Sequence, residues 1–138
     1  MRTKLITVRT GDREGLHDLT AECRRFLDEA TVEHRDGLLS VFVPHATAGI
    51  AVLELGAGSD DDLLALLERL LPRDLDWRHR HGTPGHGRDH VLPALVAPSV
   101  TVPVVDGAMA LGPWQSVALV DTNVDNPERS VRLSFLPG

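Results

Sequence analysis

A polar segment from Trp77 to His90 is the feature that most constrains the fold of this chain. It contains four of the chain's seven histidines, mixed with Gly, Arg and Asp. Such a composition is not that of a hydrophobic core, so we expect a surface loop with the core built on either side. Neutral imidazole is the commonest metal ligand in proteins, and a metal site is therefore the first function to test against this loop.

The length and charge of the chain narrow the class of protein. The 138 residues suffice for a single domain, 1–138, of which 42% are hydrophobic. A net charge of -6 without any basic run argues against a nucleic-acid partner. No apolar run approaches the roughly 18 residues that a membrane span needs, so we expect no membrane partner and a cytoplasmic location.

The apolar pattern predicts strands and two to three helices without regular strand–helix alternation, which indicates an α+β fold. Alternation predicts a first strand over residues 4–9, with Leu5 facing inward and Ile6 and Val8 as further candidates for the inner face. Spacings of three and four predict a first helix over 16–30, with Cys23 as an inert buried thiol and His17 at the surface. A second helix, capped by Ser59, is predicted to run to about residue 71, and a short third helix to begin near 90. Further predicted strands cover 37–43, 50–55, 99–105, 114–121 and 130–136, with Asp106-Gly107 as a turn.

The histidines offer several combinations of metal ligands. His45 directly follows the strand 37–43, whereas His79, His81, His86 and His90 lie in the polar loop. A catalytic zinc site uses three protein ligands, and two loop histidines with His45 would supply them. The alternative is a solvated loop whose histidines bind no metal and only titrate near neutral pH. The spacing of the histidines does not distinguish a metal site from such a loop. Gly87 argues against one helix that would bring His86 and His90 together.

Two later segments could also bind a ligand. Trp114 and Gln115 open a strand, where an indole usually packs and an amide can bond a ligand or another subunit. Asp121 ends that strand, and Arg129 follows the Asn126-Pro127 turn. We expect Asp121 to orient a ligand and Arg129, placed in the loop, to receive an anion such as phosphate. The alternative is an ordinary polar hairpin.

The order of these motifs resembles the YjbQ-like family, also described as secondary thiamine-phosphate synthases. The resemblance rests on the segment His45 to Gly49, Glu54, the acidic helix ended by Pro72, and the two histidines that follow it, His79 and His90. It continues through Val102-Pro103-Val104, Asp106-Gly107 and Leu111 to Gln115. It covers nearly the whole chain.

The resemblance implies an α+β fold with a β-sandwich-like, mixed or antiparallel core, and a homotrimer. It also implies a divalent metal, Zn²⁺ first and Mg²⁺ as the alternative, held by His45, His79 and His90. Glu54 or Asp121 would then orient a ligand or act as base, and Trp114, Gln115 and Arg129 would bind the substrate. The substrate would be a small phosphorylated metabolite, a thiamine precursor in the family's own reaction. A metal-dependent phosphate-ester hydrolase and a non-catalytic metabolite- or metal-binding trimer are the alternatives.

Overall fold

A computed structural model describes residues 1–138 and confirms the α+β class, with three helices and two antiparallel sheets. The helices are α1 (Thr20–Ala30), α2 (Ser59–Leu70) and α3 (Leu92–Leu95), and a 3₁₀ turn covers His86–Arg88. The strands are β1 (Arg2–Arg9), β2 (Gly15–Asp18), β3 (Gly37–Phe42), β4 (Ala48–Leu53), β5 (Ser99–Val105), β6 (Ala108–Met109), β7 (Ser116–Asp121) and β8 (Glu128–Pro137).

The larger sheet has the strand order β1-β8-β3-β5-β6. Its inner face carries the alternating apolar residues of β3, β5 and β8 into the core, as strand periodicity requires. The prediction that Leu5 faces inward is wrong. Ile6 lies opposite Val131 and packs on the core, so the pleat turns Leu5 outward, where it is exposed.

The smaller sheet has the order β2-β7-β4, and α1 packs with it against the larger sheet. The prediction of a helix from residue 16 is wrong at its start. Residues 15–18 form β2 against β7, and Asp18 Oδ1 then accepts a bond from Thr20 N at 2.8 Å where the helix begins. His17, on this strand, is half-buried rather than a surface residue.

A third layer covers the other face of the smaller sheet. Leu67 and Leu71 at the end of α2 pack with Leu92 of α3 on Val120 of β7. Ser59 is not the cap that the sequence predicts, because Gly58, at φ 96°, precedes the helix and no side-chain cap forms. The Asp106-Gly107 turn is confirmed: both residues have positive φ, 51° and 81°, as a two-residue hairpin between β5 and β6 favours.

None of the helices combines the length and apolar content that a membrane-spanning segment requires.

Cys23 offers a test of the core. It lies fully buried on α1, and burial raises the pKa of its thiol to about 12, because the thiolate would lose its hydration. Since only the thiolate is nucleophilic, we predict that the native chain will not react with an aromatic disulfide reagent at pH 8 and will react fully in denaturant. Rapid labelling of the native chain, followed by absorbance, would show that α1 leaves the core readily.

Candidate functional site

Only the first part of the histidine-rich segment is the solvated loop that its composition predicts: Arg78 and residues 80–84 are exposed, but residues 86–89 are not. His86, Gly87, Arg88 and Asp89 are all buried. Gly87 permits this, because a Cβ there would lie 2.5 Å from the Cβ of Trp77 and 2.7 Å from the carbonyl oxygen of His79. Residues 86–89 are therefore a packed element of the structure, and their polar groups need partners inside the protein.

Arg88 anchors this segment. Its side chain is almost completely buried, donates to Glu14 Oε2 at 2.9 Å and also bonds Glu68. Arg73 binds the other oxygen of Glu14 and donates to the carbonyl oxygen of Thr122 at 3.0 Å. This network attaches the segment to α2, to the loop before β2 and to the chain that leaves β7.

Four histidine rings of the segment form one cluster. The ring centroid of His79 lies 3.9 Å from that of His81 and 4.0 Å from that of His90. The Nε2 atoms of His86 and His90 are 2.9 Å apart. As expected from Gly87, no single helix spans this pair, but the 3₁₀ turn and the turn after it fold residues 86–91 tightly enough for the rings to meet.

The far side of the His86 ring is held by the loop after β7. His86 Nδ1 lies 2.8 Å from Asp125 Oδ2 and 2.9 Å from Asn123 Nδ2. Nδ1 cannot bond both groups, because a protonated Nδ1 donates to the carboxylate whereas an unprotonated Nδ1 accepts from the amide. The charged Asp125, at the shorter distance, favours the proton on Nδ1 and leaves the Nε2 lone pair directed to His90. Burial alone would raise the pKa of Asp125, but bonds from Thr83 and the contact with His86 outweigh it and lower that pKa.

Asp89 lies behind the same ring and is fully buried. It accepts bonds from Thr122 Oγ1 at 2.8 Å and Asn123 Nδ2 at 3.2 Å. Burial raises the pKa of Asp89 despite these bonds and the nearby Arg73 and Arg88. Sequence reasoning missed Asp89, and it treated Asn123 and Asp125 as a polar hairpin. No spacing rule connects residues 33 or more positions apart.

The cluster has the chemistry of a metal site. Ligand nitrogens of His79, His81 and His86 lie within 4.8 Å of one another, and His79 Nε2 is buried without a partner. Restricted access to water lowers the pKa of His79 and of His90, and the neighbouring histidines lower both further. Low pKa values favour the neutral rings that metals bind. These side chains therefore fit a divalent cation, and His79, His81, His86 and His90 are the residues that could hold it.

His45 faces the cluster across a cavity but does not join it. Its Nε2 accepts a bond from the backbone N–H of Ser130 at 3.0 Å. The cavity, of about 360 Å³, is also lined by Ala46, Thr47, His81, Gly82, His86, His90, Asp125, Asn126 and Arg129. The structure thus brings His79 and His90 together, as predicted, and separates His45 from them.

Arg129 does not lie in a loop, as the sequence predicts, but on β8, with its side chain 1% exposed. Its Nε donates to Asp121 Oδ2 at 2.7 Å and its Nη2 to Asp121 Oδ1 at 2.9 Å. The edge of the guanidinium formed by Nε and Nη2, which could bind an anion with two parallel hydrogen bonds, is therefore already occupied. Asp121 also accepts from Asn123 N at 3.0 Å. The pairing leaves Asp121 without a free carboxylate oxygen to act as a base, and it occupies Nε and Nη2 of Arg129, which still lines the cavity.

The structure does not bring Glu54, Trp114 and Gln115 to this cavity. Ala48 pairs with Asp121 at one end of the β4–β7 ladder and Leu53 with Ser116 at the other. Glu54, Trp114 and Gln115 adjoin the second end, about 17 Å away at the usual rise of a strand. Glu54 and Trp114 are exposed, and Gln115 accepts a bond from Gly112 N at 2.8 Å. Within one chain these side chains therefore do not reach the histidines.

The fold and the site together define a class of protein: a two-sheet α+β chain in which a partly buried histidine segment packs on the loop after β7. A sequence model described as UPF0047 protein YjbQ-like matches residues 4–138. The chain belongs to the YjbQ-like UPF0047 family.

Relatives in bacteria and archaea support this membership. The chain is 59% identical over 138 residues to a UPF0047 protein of Mycobacterium tuberculosis, covering 100% of each. A solved structure of a hypothetical protein from Aeropyrum pernix has a TM-score of 0.86 and 32% identity, covering 100% of both chains. A YbjQ-like protein of Sulfolobus solfataricus has a TM-score of 0.91 over 99% of this chain and 97% of that chain, and at 23% identity it shows the fold alone.

The buried pair of Asp121 and Arg129 predicts a large loss of stability on truncation. Arg129→Leu leaves the Asp121 charge buried and unpaired, so unfolding in urea should show a loss of about 3–5 kcal/mol. Arg9→Leu is the matched control, because Arg9 meets Glu128 at 3.5 Å with its side chain 88% exposed. The Arg9→Leu substitution should lower the free energy of unfolding by no more than about 1 kcal/mol. Equal losses in the two variants would contradict the buried pairing.

Proposed function

We propose that this protein is a metal-dependent enzyme that acts on a small phosphorylated metabolite. The observation that carries the proposal is the histidine cluster, in which Asp125 and Asn123 orient His86 and a buried nitrogen of His79 has no partner. A fixed imidazole with a carboxylate behind it is the usual arrangement of a metal-bound histidine. Burying such a group without a partner otherwise costs free energy.

Zn²⁺ suits this set of ligands better than Mg²⁺. Imidazole nitrogen is a common zinc ligand, whereas Mg²⁺ prefers oxygen ligands and retains several waters. The ligands would be His79, His90 and His86, whose ring Asp125 orients, and the exposed His81 is the alternative to His86. When bound, the ion would supply Lewis-acid stabilisation of charge on a phosphate group or would lower the pKa of a water.

The adjoining cavity supports a small substrate. Its volume of about 360 Å³ and its polar lining suit a phosphorylated metabolite better than an apolar ligand. The family resemblance points to the thiamine-phosphate synthase reaction, in which a thiazole phosphate displaces pyrophosphate from a hydroxymethylpyrimidine diphosphate. Hydrolysis of a phosphate ester would need the same ligands with water as nucleophile, and a non-catalytic binding protein would need the ligands alone.

We also propose that the protein is a homotrimer. The outer face of the larger sheet has no covering layer and exposes Leu5, Leu38, Phe42, Val105 and Leu136. A ring of three copies uses two different patches on each chain, and Trp114, 74% exposed, supplies the second. Arg132, on the same uncovered face, has no ion-pair partner within the chain and could meet a carboxylate of the next copy.

The zinc content of the purified protein should depend on the histidine cluster. His86→Ala, His79→Ala and His90→Ala should each reduce zinc to well below one ion per chain, measured by plasma mass spectrometry after purification without a tag. His34→Ala is the matched control, because His34 is exposed and lies outside the segment. Full zinc in all three cluster variants would overturn the proposed site.

Turnover distinguishes the three functions in the same preparations. Thiamine phosphate formed from its two precursors, lost with the metal and restored by added Zn²⁺, would support the synthase. Release of phosphate from a generic aryl phosphate, without synthase activity, would support the hydrolase. Neither activity with the metal retained would leave a binding protein and would contradict the proposal of an enzyme.

The trimer is tested by mass. Multi-angle light scattering should give three times the 15.0 kDa chain mass, and Phe42→Lys should lower it, because a charge on the sheet face would be buried between copies. Leu95→Lys, on an exposed apolar residue of the helical layer, should not change the mass. A single-chain mass for the unaltered protein at micromolar concentrations would refute the homotrimer.

A further inference from the structure

His45 lies where the larger sheet ends. β3 pairs with β8 from Gly37 opposite Pro137 to Phe42 opposite Arg132. Beyond this point β3 no longer pairs with β8, although on its other edge Val43 N still donates to the carbonyl oxygen of Pro98 at 2.9 Å, in register with the β3–β5 ladder. The backbone N–H of Ser130 would then lose its partner in the ladder, but the imidazole of His45 accepts its bond.

This bond determines which nitrogen of His45 carries the proton. A backbone N–H can only donate, so Nε2 must present its lone pair to Ser130. A neutral imidazole has one protonated nitrogen, which is therefore Nδ1. Burial and the nearby Arg129 lower the pKa of His45, against the opposing effect of Asp121, and so favour the neutral ring.

The assignment leaves His45 without a lone pair for a metal. Nε2 is used by the sheet, and Nδ1 carries a hydrogen. Nδ1 makes no hydrogen bond within the chain and is not a buried atom, so solvent or a ligand can reach it. The ring lines the same cavity as His81, His86 and His90.

We propose that His45 is a substrate-binding residue, whose Nδ1–H donates a hydrogen bond to a phosphoryl oxygen of the metabolite in this cavity. The proposal rests on the proposed function and deepens it. The cavity then has two kinds of group, the histidine cluster of the 79–90 segment and a hydrogen-bond donor on His45, which lines the same cavity. The sheet holds the donor in place through Ser130, so no reorganisation of the ring is needed when the oxygen binds.

Two substitutions of His45 test the roles of its Nδ1 and Nε2 atoms separately. In His45→Asn, the side-chain amide can donate from the position of Nδ1 but is too short to accept from Ser130. In His45→Gln, the longer side chain can accept from Ser130 but provides no donor at the position of Nδ1. Pyrophosphate binding by calorimetry should weaken only slightly in the Asn variant, which keeps the donor but loses the bond that holds it in place. It should weaken about tenfold or more in the Gln variant, the effect expected on losing a hydrogen bond to a charged group.

Measuring the zinc content of these variants shows whether the role of His45 or the proposed metal enzyme has failed. Both variants should retain the zinc content of the unaltered protein, and loss of zinc in both would show that His45 is a ligand and overturn the proposal. Unweakened pyrophosphate binding in the Gln variant would overturn it as well. If the unaltered protein holds no metal, the proposed metal enzyme fails, but the pyrophosphate comparison still decides the role of His45.

A measurement on the unaltered protein avoids any folding defect of the variants. Nitrogen-15 spectra of the histidine rings distinguish a protonated from an unprotonated Nδ1. Neutral His45 should have the proton on Nδ1, and the Nδ1 signal should shift when pyrophosphate is added. A proton on Nε2 would contradict the hydrogen bond from Ser130 and the inference drawn from it.

Discussion

Three consecutive buried polar residues at the end of β7 hold the site together, because each must find a hydrogen-bond partner away from water. Asp121 binds Arg129 on β8 and so connects the two sheets. Thr122 donates to Asp89, and Asn123 contacts both Asp89 and His86. An unpaired buried polar group costs about 1–3 kcal/mol, so the end of β7 and the histidine segment stabilise each other's position.

This arrangement explains how a segment of His, Gly, Arg and Asp can be packed inside the protein. Arg88 bonds Glu14 and Glu68, and the backbone approaches Trp77 closely at Gly87, so charges are paired and space is filled. His86 is therefore held by buried contacts, whereas His81 lies in the exposed stretch of the segment. A metal or substrate site gains from ligands that packing already holds in place, because they need not be ordered when binding occurs.

The apolar pattern predicted most of the elements, and its errors have physical causes. β5 and the Asp106-Gly107 turn were predicted correctly, since strand alternation and a two-residue hairpin loop are local properties. β2 was assigned to the first helix because Leu16 and Leu19 have helical spacing. The four-residue strand is stabilised by pairing with β7, which lies about a hundred residues further along the chain.

The sequence by itself determined the α+β class, the order of most elements and the family of the protein, because periodicity, turn residues and motif order are properties of neighbouring residues. It also identified His79 and His90, which the fold brings together. Only the tertiary structure decided that His81 and His86 join them, that Asp121 occupies Arg129, and that His45 bonds Ser130 instead of the cluster. These contacts join side chains from different elements, and their geometry depends on how the two sheets and the buried segment pack.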